Sequence, residues 1–355
     1  MNIGLTFRAA SRVLPAVFGL LLAATSTAFG AQAELVRVAA SSGAEDAPLF
    51  VGIDKGIFSK HGLDVKANLF PNGVEAINSL VGGNAEIGVF GTYPFLAAVS
   101  KGIPLVLIGH NWGDALASNQ SAYFSLIAAT STGIKPNDLA SLKGKKLGVV
   151  FGSGAHAYVK ALFKQAGLGE SDVKVINVPA ANQGTALANG DVDVIAAWEP
   201  FASKAAKEVP GAQRVMHGGA QSFYEAGCLV APVIVRDTKA EMLTRFLIAY
   251  AEAGQWVRNN RKEAAQITTR WVPGLDVEVL AEALQYIPQD LRLSRNTIDS
   301  YRTMSIPLMI SDGRVKEAFD PAKVVDARFY LDAEKQAPQF FRDLKPIPDA
   351  RRISQ

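Results

Sequence analysis

Cysteine is nearly missing: one residue in 355, Cys228, which leaves an intramolecular disulfide impossible and no thiol near the start of the chain for lipid attachment. Histidine is scarce as well, and His61, His110, His156 and His217 stand singly, so no metal-ligand spacing emerges and no metal is expected. Neither sign of charge prevails, with 36 Lys and Arg against 33 Asp and Glu. The formal net charge of +3 falls to +1 once the first 33 residues are set aside with Arg8 and Arg12, giving no electrostatic case for nucleic acid or an anionic membrane. No later stretch approaches the roughly 20 apolar residues of a spanning helix. G-x-x-x-x-G-K-[ST], H-E-x-x-H and G-x-S-x-G are all absent, the last because Phe151 stands two positions before Ser153. Cys228 opens an apolar run that would disfavour a thiolate, so no catalytic residue is assigned.

What is present begins with Arg8 and Arg12 ahead of an apolar run from Val13 to Ala24, then small residues ending Ala31-Gln32-Ala33. That is the pattern of a secretory signal with an A-x-A cleavage site, and a soluble periplasmic protein starting near Glu34 is expected. The remaining chain repeats itself. Gly62 to Phe95 and Gly167 to Phe201 both read as strand, Pro-containing loop, helix, Gly-acid turn, strand and Pro-Phe. Pro71 and Pro179, Gly83 and Gly190, Pro94 and Pro200 are separated by 108, 107 and 106 residues, a register that drifts only by small indels. Two similar α/β lobes with a cleft between them follow, and the length exceeds what one hydrophobic core usually serves.

In the first lobe, strands are expected at Leu35–Ala40, Leu63–Leu69, Ile87–Phe90 and Leu105–Gly109, with helices after Pro48, from Gly73 to Leu80 and from Pro94. Asn72 with Glu75 has N-cap and N3 chemistry. The second lobe repeats this with strands at Lys146–Val150, Val173–Val178 and Val192–Ala197, and helices at Ala157–Ala166, Thr185–Ala188 and from Pro200. Such alternation gives parallel β-α-β units that bind ligands at the strands' carboxyl ends. Ala122–Ala129 and Cys228–Val235 are read as paired crossing strands forming a hinge, and the helices beyond Val235 as packing on the first lobe. The expected division is 1–33 signal peptide, 34–124 with 230–355 as lobe one, and 125–229 as lobe two.

Collected at the strand ends are Ser41, Ser42, Asp46, Asn72, Thr92, Tyr93 and His110 from lobe one, with Asn111 beside them. Lobe two supplies Ser153, Gly154, His156, Asn182, Gln183, Trp198 and Glu199. The set is polar and aromatic and lacks Lys and Arg, although helix N-termini could still hold an oxyanion. Several of these serines and asparagines also fit simple capping roles. Phe151 to Ala157 formally satisfies G-x-G-x-x-A, but the acid that a dinucleotide site needs after the next strand is an amide, Asn177, so no cofactor is expected. Tyr93 and Trp198 hold equivalent places in the repeat and are expected to face each other across the cleft. Acids at Glu45, Asp46 and Glu199 tilt the reading away from a purely anionic ligand.

The segments APLFVGIDKGIFSKHGLDV, GVEAINSLVGGNAEIGVFG, VSKGIPLVLIG, LKGKKLGVVFGSGAHAYVKALFKQAGL and GTALANGDVDVIAAWEPF closely resemble the periplasmic binding proteins of nitrate, sulfonate, taurine and thiamine-precursor ABC importers. The likeness spans roughly Val36 to Pro232. It implies the two-lobed, type II-like periplasmic binding fold, with a small-molecule ligand closed between the lobes and delivered, by a monomer, to an inner-membrane permease driven by an ATPase. It places the contacts in the loops around Ser41, Asn72, Thr92, Ser153, Asn182 and Trp198, and Trp198-Glu199-Pro200-Phe201 looks like that family's Trp-acid-Pro-aromatic turn. An aliphatic sulfonate, taurine or nitrate-like solute is expected, with a pyrimidine or other amine-bearing solute as the alternative and an enzyme on the same scaffold as the rival class.

Overall fold

The computed structural model describes Met1, Thr6 and residues 33–353 apart from Ser42, Glu170 and Pro273. Ser42 and, but for Met1, Thr6 and Ala33, the expected signal segment lie outside the described residues. The chain begins β1 (Glu34–Ser41), α1 (Ala47–Asp54), α2 (Ile57–Lys60), β2 (Leu63–Phe70), α3 (Gly73–Val81), β3 (Ile87–Gly91), α4 (Thr92–Val99) and β4 (Leu105–Gly109). It continues with β5 (Phe124–Ala129), β6 (Lys146–Val149), α5 (Gly154–Ala166), β7 (Lys174–Asn177), α6 (Gln183–Ala188), β8 (Val194–Trp198), α7 (Phe201–Glu208), β9 (Ala212–His217) and β10 (Gly227–Pro232). Among the described residues, the α-helices that follow are α8 (Val233–Thr238), α9 (Ala240–Asn259), α10 (Arg261–Trp271), α11 (Val277–Ala283), α12 (Arg295–Ser300), α13 (Ile306–Ser311) and α14 (Arg328–Gln336).

The strands form two five-stranded sheets on one plan, β2-β1-β3-β10-β4 and β7-β6-β8-β5-β9. In each, three strands are parallel and the fourth position is filled by an antiparallel strand that enters from the other half of the chain: β10 between β3 and β4, β5 between β8 and β9. The inner strands β3 and β8 are buried almost throughout, as parallel strands covered on both faces must be. The two inserted strands do not pair with each other. Instead the connections before them meet at a single bridge, where the Gln120 N–H donates to the Phe223 carbonyl at 3.2 Å and the Glu225 N–H to the Gln120 carbonyl at 3.2 Å. Gln120 also donates from Nε2 to the Glu225 carbonyl at 2.7 Å, tying the two crossings together.

Two elements differ from the sequence reading. Strand β9 has no clean apolar alternation because it is the sheet's edge, where polar side chains are tolerated. The β-branched run Val233-Ile234-Val235 is helical rather than a continuation of β10, since Pro232 cannot extend the ladder as a donor and opens α8 instead. The late helices also reach both sheets. Helix α9 packs on α1 and α14, whereas α11 lies against α7 and α13 against α4 and α5. Lys204 Nζ donates to the Gly274 carbonyl at 2.6 Å and Lys207 pairs with Asp276 at 3.3 Å, so polar caps carry that second contact.

Candidate ligand cleft

A cavity of about 70 Å³ opens where the carboxyl ends of β1, β3, β6 and β8 converge on the crossing segments. Its walls are aromatic: Phe90, Trp112, Tyr123, Phe124, Phe151 and Trp198. Trp112 and Tyr123, one in each half of the first crossing, lie 4.3 Å apart, and Phe124 meets Tyr123 edge-on at 5.1 Å. Such rings offer flat faces to a ligand. Polar groups come from Ser41 at the end of β1, Asn72 and Ser153 at the starts of α3 and α5, Asn111 after β4, and two acids, Glu45 and Glu225. Among the described residues, the cavity lining contains no Lys, Arg or His.

The acids are built into the backbone closely. A Cβ at Gly43 would collide with the Glu45 carboxyl, and a Cβ at Gly91 or Gly154 would collide with that of Glu225. These glycines therefore admit the carboxyls where side chains would exclude them. Both acids are buried, and Glu45 Oε2 and Glu225 Oε2 make no hydrogen bond. Asn111 Oδ1 is likewise unpartnered, while its Nδ2 donates to Asp46 Oδ1 at 3.0 Å. Burial disfavours the charged form, so Glu45 is raised to about 7 and Glu225 to about 8, the latter despite the Thr92 N–H donated to it. Asp46 is raised well above its ordinary value, by burial first and by neighbouring Glu45 second. Three acids with raised affinity for protons and four acceptor atoms without a hydrogen bond, Asp46 Oδ2 being the fourth, face the Tyr123 hydroxyl as the nearby donor, so the site has room for further cations or N–H groups.

Of the residues picked out from the sequence, Ser41, Asn72, Ser153, Gly154 and Trp198 come together in this lining. Asn72 and Ser153 are also caps: Asn72 Oδ1 accepts from the N–H groups of Val74 and Glu75 at 3.0 and 3.1 Å, and Ser153 Oγ from His156 at 3.3 Å. Asp46 lies behind Asn111. Thr92 is buried, with its hydroxyl donating to the Ala226 carbonyl at 2.8 Å. Tyr93 does not face Trp198; one residue into α4 its side chain turns inward and stacks on Phe223 at 5.6 Å, leaving Pro94 at the lining. His110 is sealed in, Nδ1 on the Gly227 carbonyl at 2.7 Å and Nε2 on Thr297 at 3.2 Å, and burial lowers it to about 4, so it is a neutral tie. His156 stacks on Phe151 at 4.8 Å outside the lining, Asn182 is exposed, and Gln183 is spent on the Ala196 carbonyl at 3.1 Å. Glu199 is buried and paired with Arg214 at 3.0 Å. Burial pushes the Cys228 thiol up to about 12, far from a thiolate.

The lining residues that the strand-end rule missed are Trp112, Tyr123, Phe124 and Glu225, all on the crossings. A signal for Glu225 was there: an acid set into the apolar run Phe223-Tyr224-Glu225-Ala226-Gly227-Cys228-Leu229 is expensive unless it has work to do.

Two sheets of the same order, linked by a double crossing and enclosing a small polar and aromatic cavity, define a two-lobed solute-binding protein of the periplasmic binding fold. A family model described as NMT1/THI5 like matches residues 44–264, and the chain belongs to that family. It is 25% identical over 249 residues to the bicarbonate-binding protein CmpA of Synechococcus elongatus, covering 63% of this chain and 54% of the relative. Its fold is similar to that of the alkanesulfonate-binding protein SsuA of Xanthomonas axonopodis pv. citri bound to MOPS, with a TM-score of 0.72 at 19% identity over 82% of this chain and 98% of the other. The desulfurization enzyme DSZB shares the fold at a TM-score of 0.61 and 12% identity, covering 85% of this chain and 99% of the other. The scaffold alone therefore does not separate binding from catalysis.

Proposed function

We propose that this protein is the exported solute-binding component of an ABC importer, and that its ligand is a small flat solute bearing an amine or ring N–H groups. It would hold that solute between lobe one (34–124 and 230–355) and lobe two (125–229) and hand it, as a monomer in the periplasm, to an inner-membrane permease. The observation that carries the ligand class is the lining: buried Glu45 and Glu225, each with an acceptor oxygen that has no hydrogen bond, and no cationic side chain. An amine beside these carboxyls would hold them ionised and supply the missing donors. The rings of Trp112, Tyr123 and Trp198 would cover the ligand's faces. Among the described residues no cluster of His, Cys, Asp and Glu could hold a metal ion. Binding without turnover is the expected behaviour.

The test is a thermal-shift and calorimetry panel on the purified protein, with aminopyrimidines and small amines in one arm and taurine, ethanesulfonate, nitrate and bicarbonate in the other. A specific solute at 100 times its Kd adds about 2.7 kcal/mol of stability. Stabilisation by the amine arm, weakened by Glu45→Gln, is expected. Stabilisation by the oxyanions alone, or steady formation of a product, would overturn the proposal.

A further inference from the structure

We propose that the Glu225 carboxyl fills an oxyanion seat between the helix starts of the two lobes, and that by occupying that space it excludes sulfonate-like ligands from this cleft. This rests on the cleft being the binding site, though not on an amine being the ligand.

The seat is built from both sides. Helix α4 starts at Thr92 behind Gly91, an extended N-cap with no side chain to satisfy the first turn. In place of a cap, the Thr92 N–H donates to Glu225 Oε1 at 3.1 Å across 133 residues of sequence. Helix α5 starts at Gly154 in the other lobe, and the second carboxyl oxygen, Oε2, lies so close to Gly154 that any side chain there would strike it. That oxygen has no hydrogen bond and borders the cavity. Arg314 adds a guanidinium nearby, placed over the Tyr93 ring at 5.2 Å and reaching the Gly152 carbonyl at 3.5 Å, where its charge favours the ionised Glu225. Two helix starts meeting at one point, with a guanidinium nearby that is itself paired with Asp312 at 2.8 Å, have the makings of a site for an oxyanion. Here the point is occupied by a carboxyl group of the chain itself.

Glu225 thus meets the seat's field without a ligand, and a sulfonate or nitrate entering would have to displace it or sit beside it. The carboxyl already fills the space such an oxyanion would need, so discrimination arises by exclusion rather than by weaker contact. The carboxyl also accounts for two glycines from different lobes meeting at this spot, since a Cβ on either would fall on its oxygens unless the side chain shifted.

The experiment is to titrate ethanesulfonate into wild type, Glu225→Ala, Glu225→Ser and Glu225→Gln, following binding by calorimetry and folding by circular dichroism. The two truncations empty the seat and are expected to gain saturable ethanesulfonate binding, about tenfold tighter or more than wild type. Glu225→Gln, which removes the charge but still fills the space, should gain less. Folded truncations that bind no ethanesulfonate would overturn the proposal, as would wild-type binding as tight as theirs. Failure of both truncations to fold would overturn it too, because the carboxyl would then be a structural tie. A wild type that binds no amine alongside truncations that gain ethanesulfonate would defeat the proposed ligand class and leave this inference standing; the reverse pattern would do the opposite.

Discussion

Two buried glutamates, Glu199 at the end of β8 and Glu225 on the crossing before β10, each receive the N–H of a helix start. Glu199 Oε2 accepts from Ser203 at 3.1 Å at the head of α7, and its Oε1 accepts from Arg214 at 3.0 Å. Both oxygens are therefore matched, and the residue is a closed structural unit. Glu225 Oε1 accepts from Thr92 at the head of α4, but Oε2 accepts from nothing, and the residue lines the cavity. The backbone differs in step. In lobe two the Glu199 N–H is satisfied by the Tyr123 carbonyl at 3.1 Å, a main-chain group from the crossing, whereas in lobe one the crossing satisfies Thr92 with a side chain. A carboxyl is left over where the first turn needs only a carbonyl. Identical topology thus yields one acid committed to stability and one available to a ligand.

The largest expected effect tests the committed member. Arg214 also donates to Ser203 Oγ at 3.1 Å and to Ser125, so Arg214→Ala strips Glu199 of its charge partner in a buried setting. The loss should be about 3–5 kcal/mol in urea unfolding. Glu199→Gln in the same background should recover part of it. A cost near zero for Arg214→Ala would erase the distinction between the two acids.

The next effect tests the uncommitted member through pH. Burial raises Glu225 from 4.5 to about 8, so the native state holds a proton that the unfolded chain has released between those values. Its contribution is fully present below about 4.5 and is lost as pH rises through 8. Each pH unit in that window costs about 1.4 kcal/mol for each group so shifted. Glu45, raised to about 7, adds to the slope up to that point. Melting temperature of the unliganded protein should therefore fall from pH 5 to 8, and Glu225→Gln should flatten the upper part of the fall. An amine ligand should reverse the trend, binding more tightly as pH rises and expelling protons that calorimetry in buffers of different ionisation enthalpy would count. An unliganded profile as flat in wild type as in Glu225→Gln would show that the acid is already satisfied.

Much of this arrangement was legible in the sequence. Alternating apolar runs and Gly-Pro punctuation located β1 to β4, β6 to β8 and their helices to within a few residues, because buried parallel strands and capped helices leave local marks. Asn72 and Ser153 were readable as caps for the same reason. The crossings were not. Trp112, Tyr123 and Glu225 lie in irregular backbone whose position depends on the insertion of β5 and β10 into sheets formed by distant residues, and no local period encodes that. Tyr93 shows the complementary failure: the repeat places it opposite Trp198, but one helical step decides whether a ring faces cleft or core, and the core contact with Phe223 wins. His110 looked chemical by type and proved structural by its two hydrogen bonds.

The smallest effect separates capping from binding within the lining itself. Ser153 Oγ donates to the Val150 carbonyl at 2.6 Å and accepts from the His156 N–H at 3.3 Å, so its hydrogen-bonding capacity is largely spent inside the loop. Ser153→Ala should lower stability by about 1 kcal/mol, the usual size of a lost N-cap, while leaving amine affinity nearly unchanged. Glu45→Gln should do the reverse, weakening the amine while sparing or even raising stability at neutral pH, since the neutral amide avoids the burial penalty that lifts Glu45. Measured side by side, the pair divides the lining into residues that hold the cleft in shape and residues that hold its occupant. If Ser153→Ala instead removed affinity without touching stability, the polar start of α5 would be a ligand contact, and the seat between α4 and α5 would belong to the solute rather than to Glu225.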